Sequence, residues 1–155
     1  MNYYFNLGKN VLFPICRSLT GSGVRKTLKI IKKEFSNLEI KKIKSGTKVF
    51  DWNIPPEWNV SSAYVLDKYG NKIIDFKNHN LHLIGYSIPV NKVIKKKELL
   101  KNLYFLKNQP SAIPYITSYY KKRWGFCLTF NQYKKIKKKY SKNDNFKVVI
   151  NSRLN

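Results

Sequence analysis

Acidic residues are scarce in this chain: 8 Asp and Glu stand against 31 Lys and Arg in 155 residues, a formal net charge of +23. Histidine and cysteine are scarcer, at 2 each. These shortages limit the available chemistry. General acid–base work needs two carboxylates on one surface, and the one pair of interest is Asp51 and Glu57, flanking Pro55-Pro56. A salt bridge to nearby lysines is the expected role for each. His79 and His82 stand without a completing set of ligands at metal-type spacing, so no metal site is expected, and His82 reads as a hydrogen-bonded structural imidazole. Cys16 and Cys127 lie far apart and read as reduced thiols of a cytoplasmic protein. Cys127, between Phe126 and Leu128, reads as a small hydrophobe rather than a nucleophile served by His82. No P-loop, dinucleotide fingerprint or nucleophile elbow occurs, and no catalytic residue is assigned. No run approaches the ~18 apolar residues of a membrane span. The N-terminus lacks the basic region and small-residue cleavage site of a signal peptide.

Arginine is also rare, occurring only at 17, 25, 123 and 153. Lysine, with Asn, Ile, Tyr and Phe, fills much of the rest, which is what an AT-rich coding sequence produces. Nucleic-acid readers favour the planar arginine fork, so nucleic acid is not the expected partner despite the charge. Where lysine is the default cation, each arginine marks a place where the fork has a use. Arg17 and Arg25 flank Gly21-Ser22-Gly23, which opens a helix and can turn backbone N–H groups toward an anion. Plain helix capping is the competing reading. Arg123 sits beside Trp124 in the stretch 108–128, where Pro110 and Pro114 exclude helix or central strand and Tyr115, Tyr119, Tyr120, Trp124 and Phe126 crowd together. An ordered loop packed by its own aromatic side chains is expected there. Arg17, Ser22, Arg25, Arg123 and Trp124 are therefore the candidate substrate or anion contacts.

Along the chain, apolar spacing predicts a helix over 3–19 kinked at Pro14, then a helix from Val24 to Phe35 carrying its lysines outside the apolar face. Strands are expected over 38–44 and 48–52, a hairpin over 63–76, a strand over 81–87 and a helix over 95–106. Phe126, Leu128 and Phe130 alternate as a strand, and Asn131 can cap a helix to Tyr140. Phe146–Ile150 reads as a last strand with no partner after it, an exposed edge.

Several long segments resemble a bacterial aminopeptidase-like family of the zinc exopeptidase superfamily that carries an inserted β-rich domain and occurs with polysaccharide or capsule biosynthesis genes. They are Leu12-Phe13-Pro14-Ile15-Cys16-Arg17-Ser18-Leu19-Thr20-Gly21-Ser22-Gly23-Val24-Arg25, Gly46 to Trp52, Asn80-Leu81-His82 with Gly85-Tyr86-Ser87, and Ile113-Pro114-Tyr115 through Cys127. The resemblance implies an α+β chain: an N-terminal helical pair and strand of a peptidase-like domain over 1–51, an inserted β-rich module over 52–140, and a strand over 141–155 returning to the peptidase-like sheet. The family's zinc segment opens with a Cys-His-Pro-like run, which this sequence does not contain. Zinc belongs to the full-length family, and no metal ligand is carried over to this chain. The expectation is a truncated, non-catalytic N-terminal part, whose partner is a second copy or the missing C-terminal portion. The alternative is a basic module binding polyanions such as RNA or acidic polysaccharide.

Overall fold

A computed structural model describes residues 2–18, 20–119 and 121–155. The chain is an α+β protein that divides into two compact units, Met1–Asn59 with Arg153–Asn155, and Val60–Ser152.

The first unit opens with α1 (Tyr3–Asn6), capped by the Asn2 side chain and widened into a π-helical segment over Leu7–Leu12. The expected helix to 19 stops short of Pro14, which has no N–H to continue the ladder. Leu19 itself lies outside the described residues. α2 (Ser22–Glu34) is the longest helix, and its apolar Val24, Leu28 and Ile31 lie half-buried on one side. Residues 38–44 form no strand: the alternation is there, but no neighbouring strand supplies a ladder, and a lone strand leaves its backbone groups unpaired. The expected strand over 48–52 is instead a tight hairpin of β1 (Lys48–Val49) and β2 (Trp52–Asn53) around Phe50-Asp51. Phe50 takes φ +52°, the left-handed region that bulky side chains seldom adopt.

The second unit is organised on a four-stranded sheet in the order β4–β3–β8–β5, formed by β3 (Trp58–Leu66), β4 (Lys72–Asp75), β5 (Val90–Lys95) and β8 (Asn145–Leu154). The hairpin of β3 and β4 is antiparallel as expected, its turn held by Asp67, whose carboxylate accepts from the Tyr69 and Asn71 N–H groups. β8 is not an exposed edge. It lies between β3 and β5, pairing with β5 from Val90↔Ile150 to Lys95↔Asn145, and Val148, Val149 and Ile150 are all buried. A consecutive buried run is what a strand covered on both faces requires.

Between the sheet strands, the expected strand over 81–87 is a single 3₁₀ turn, Asn80–His82, followed by isolated bridges from Leu83 to Phe126 and Gly85 to Thr117. Tyr86, at φ +63°, breaks the extended path. α3 (Lys96–Lys101) is shorter than its leucine spacing implies, because Leu103 leaves the helix to form β6 (Leu103–Tyr104), parallel to β7 (Phe126–Cys127). Phe130 does not extend that strand; it begins α4 (Phe130–Lys139). The cap is Thr129 rather than Asn131, with Thr129 Oγ1 accepting from the Gln132 N–H and Gln132 Oε1 accepting from the Thr129 N–H. At the far end of α4 the buried Lys96 ammonium donates to the Lys137 and Tyr140 carbonyls, filling acceptors that a helix end leaves open.

Candidate functional site

The start of α2 is built by close backbone approach. Gly21 has φ +123°, and a Cβ there would come within 2.6 Å of the Trp58 carbonyl oxygen. A Cβ on Gly23 would meet the Cys16 carbonyl oxygen at 1.9 Å. Both glycines are therefore required by packing. The Ser22 N–H does not face an open anion position: it donates to Asn59 Oδ1 at 2.8 Å. Ser22 is thus the first helical residue rather than the cap, and the capping oxygen arrives from a residue 37 positions away.

Arg25 bonds the Glu57 carboxylate through Nη1. That bond holds the Glu57 carboxyl below the ordinary range, against the opposing effect of burial, and pushes the Arg25 guanidinium up. The partner is an arginine where a lysine was expected. The exposed flank of α2 forms a cleft of ≈ 440 Å³ lined by Ser22, Arg25, Lys26, Lys29, Ile30 and Lys33. Ser22 and Arg25 therefore come together, while Arg17 is exposed and does not line the cleft. With Arg25 committed to Glu57, the cleft wall is mostly apolar, formed by Ile30 and the aliphatic stems of the lysines.

Arg123 and Trp124 lie in the second unit, in the loop between β6 and β7. The loop is laced to residues 84–88 through the main chain: Gly85 N–H donates to Ile116 O at 2.9 Å, Ser118 N–H to Gly85 O at 2.8 Å and Ile88 N–H to Arg123 O at 3.1 Å. Gly125 has no room for a Cβ, which would come within 2.5 Å of Ile84 Cδ1. Arg123 Nη2 donates to Thr117 O at 2.9 Å, and its guanidinium carbon lies 5.9 Å from the centre of the Tyr104 ring. Its Nε is buried with no hydrogen-bond partner among the described residues. The Lys92 ammonium sits 5.2 Å from the Trp124 ring centre, and Tyr86 meets Tyr119 edge-on at 5.2 Å. These contacts tie the loop to its own unit. Tyr120, one of the aromatics of this stretch, lies outside the described residues.

The histidines and cysteines behave as packing residues. His82 is buried with Nδ1 at 2.7 Å from the Cys127 carbonyl oxygen, which can only accept, so Nδ1 carries the proton. Burial lowers the His82 pKa, with the Cys127 carbonyl opposing and His79 reinforcing. Burial pushes the Cys127 thiol up to about 12, far from the thiolate a nucleophile needs. His79 turns its Nδ1 to the Leu81 N–H at 3.1 Å, a local cap. Among the described residues no three of His, Cys, Asp and Glu converge as metal ligands, so the groups present do not fit a zinc site. No described helix is long and apolar enough to cross a membrane.

The family model for a domain of unknown function, DUF2172, matches residues 57–153. The chain belongs to the DUF2172 family. Arg123 and Trp124 fall inside the DUF2172 match, whereas Arg17, Ser22 and Arg25 precede it. The chain is also 51% identical, over 143 residues, to a Clostridium acetobutylicum protein named as a candidate polysaccharide biosynthesis protein with an aminopeptidase-like domain. That match takes in 92% of this chain but 32% of the relative, so the chain spans about a third of the relative's length, in its N-terminal part. The crystal structure of a candidate peptidase from Clostridium acetobutylicum superposes with a TM-score of 0.88 at 50% identity, over 97% of this chain and 34% of that one. The resemblance to the N-terminal part of an aminopeptidase-like protein of polysaccharide biosynthesis therefore holds, with the mixed α+β architecture it implied.

Sequence reasoning missed Asn59 and placed Glu57 with the wrong kind of partner. Both lie at or near the start of β3, 37 and 32 positions along the chain from the Ser22 and Arg25 they bond. The signal that pointed there was indirect: two glycines two apart before a helix, beside an arginine in a lysine-rich chain.

Proposed function

We propose that this chain is the N-terminal and insert portion of a zinc aminopeptidase-like protein, one that supplies scaffold and shapes substrate access while the metal and hydrolytic residues are supplied by the remainder. The observation that supports this most is the match of nearly the whole chain, at 51% identity, to a third of one aminopeptidase-like protein. On this reading the insert expected over 52–140 overlaps the DUF2172 match over 57–153, and the helices before it belong with the peptidase-like domain. The test is turnover of aminoacyl anilides with added zinc, first by the chain alone and then by the Clostridium acetobutylicum relative with this chain grafted in place of its matching third. No turnover by the chain and clear turnover by the graft are expected. Zinc-dependent turnover by the chain alone overturns the proposal.

A second reading, polyanion binding, draws on the row of Lys26, Lys29 and Lys33 along the α2 cleft. No aromatic side chain lines that cleft, and a stacking platform for bases would need one. Binding of an oligonucleotide or an acidic polysaccharide at low salt, weakening steeply as salt rises, is its signature. An absence of affinity at low salt disposes of it.

A further inference from the structure

The two units bury their apolar side chains very differently. Among the described residues, Trp58 is the one large apolar side chain of residues 1–59 that is buried, at 4% exposure. The same stretch leaves Phe5, Phe35, Ile43, Phe50 and Trp52 exposed, with Phe50 at 92% on the tip of the β1–β2 hairpin. Residues 60–152, by contrast, close a core around Val65, Ile84, Leu99, Phe126, Phe146 and Ile150. A folded unit of some 60 residues with so little interior and so many large apolar groups at its surface has a partner surface to cover them.

The comparisons indicate which surface. Residues before 57 lie outside the DUF2172 match, so the family's module does not itself include them. Yet they lie inside the match to the longer relative, which takes in 92% of the chain, and inside the superposition on the candidate peptidase, which takes in 97%. Those longer proteins extend beyond the matched part by about two-thirds of their length. We infer that the exposed apolar side chains of residues 1–59, with Phe35 and Phe50 as anchors, are a docking surface for the aminopeptidase-like remainder that the longer relatives carry. This rests on the reading proposed above and adds to it the residues that make the joint. An aromatic side chain standing at the tip of a hairpin, 92% exposed, has nearly its whole ring available to bury in a pocket. The surface on the remainder is accordingly apolar, with a pocket for an aromatic ring.

The experiment is a thermal melt in two contexts. Phe35→Ser with Phe50→Asn is placed in the isolated chain and in the graft of this chain onto the Clostridium acetobutylicum relative; asparagine at 50 tolerates the left-handed backbone. The expected result is a drop of roughly 5 °C or more in the graft, with the isolated chain nearly unmoved. An equal drop in both contexts overturns the inference, because the side chains would then serve the chain's own fold. It also falls if the isolated chain is a dimer that the double variant turns into a monomer, since a second copy is then the occupant. Both of those outcomes leave the proposed function standing. If the unsubstituted graft does not fold while the isolated chain does, it is the proposed function that fails, and the docking surface with it.

Discussion

The Arg123 guanidinium makes two contacts at once: a hydrogen bond to Thr117 O and a cation–π approach to the Tyr104 ring at 5.9 Å. The fork reaches the carbonyl with one nitrogen while its charge stays within reach of the ring, and a lysine ammonium is a single point that serves one of the two less well. Arg123→Lys should therefore lower stability by about 1 kcal/mol, the worth of one such contact, read as a shift in the urea midpoint. The loss is held down because the substitution also removes an Nε that is buried without a partner among the described residues. An unchanged midpoint would mean that the arginine is incidental. His82 gives the pH dependence. Its folded pKa is lowered, first by burial, so in acid the unfolded chain takes up a proton that the folded chain resists. The stability from this residue is complete above the ordinary imidazole range, near ~6.5, and is lost as pH falls from there through the lowered folded value. Urea midpoints at pH 7.5 and pH 5 should differ in the wild type and differ less in His82→Gln, whose amide can still donate to the Cys127 carbonyl. Equal pH dependence in the two would assign the effect to other groups.

At the scale of elements, legibility tracked whether the deciding contact was local. α2 and the β3–β4 hairpin were readable because their periodicity and turn residues sit within the segment itself. β5, Val90–Lys95, falls between the strand expected over 81–87 and the helix expected over 95–106, and its exposed Asn91, Lys92, Val93 and Lys95 give no alternation to mark an edge strand. β8 was recognised as a strand and misread as an edge, since its neighbours β3 and β5 lie roughly 55 to 85 residues earlier in the chain. The candidate site divides the same way. Ser22 and Arg25 were findable as neighbours on one helix, but that Asn59 and Glu57 occupy them was not, although Glu57 was expected in a salt bridge. That long-range cap can be measured. Asn59→Ala leaves the Ser22 N–H without its acceptor and should cost about 1 kcal/mol, within the range for helix caps. Asn59→Asp keeps an acceptor and places a negative charge at the positive end of the α2 dipole, so it should match or exceed the wild type. If alanine and aspartate behave alike, the bond does not hold the helix start.

Across the whole molecule the contrast in burial becomes a contrast in local stability. β8 has strands on both sides and its buried residues run consecutively through Val148, Val149 and Ile150, so its amides open only when the sheet does. α2 shelters little: Thr27 is its one fully buried residue among those described, and Leu28 and Ile31 are half-covered. Helices draw most of their stability in water from an apolar face that is packed, and this one is packed thinly. Hydrogen exchange of the isolated chain should therefore protect β8 near the limit set by global unfolding while α2 exchanges orders of magnitude faster. The hairpin of β1 and β2, two residues per strand with an exposed phenylalanine at its turn, should exchange faster still. The like charges act in the same direction, since a net +23 repels itself and added salt relieves that repulsion. Raising salt should thus slow exchange in lysine-rich α2 by a larger factor than in β8. If α2 proves as protected as β8 at low salt, residues 1–59 already possess a closed core, and they have no apolar surface left to offer a partner.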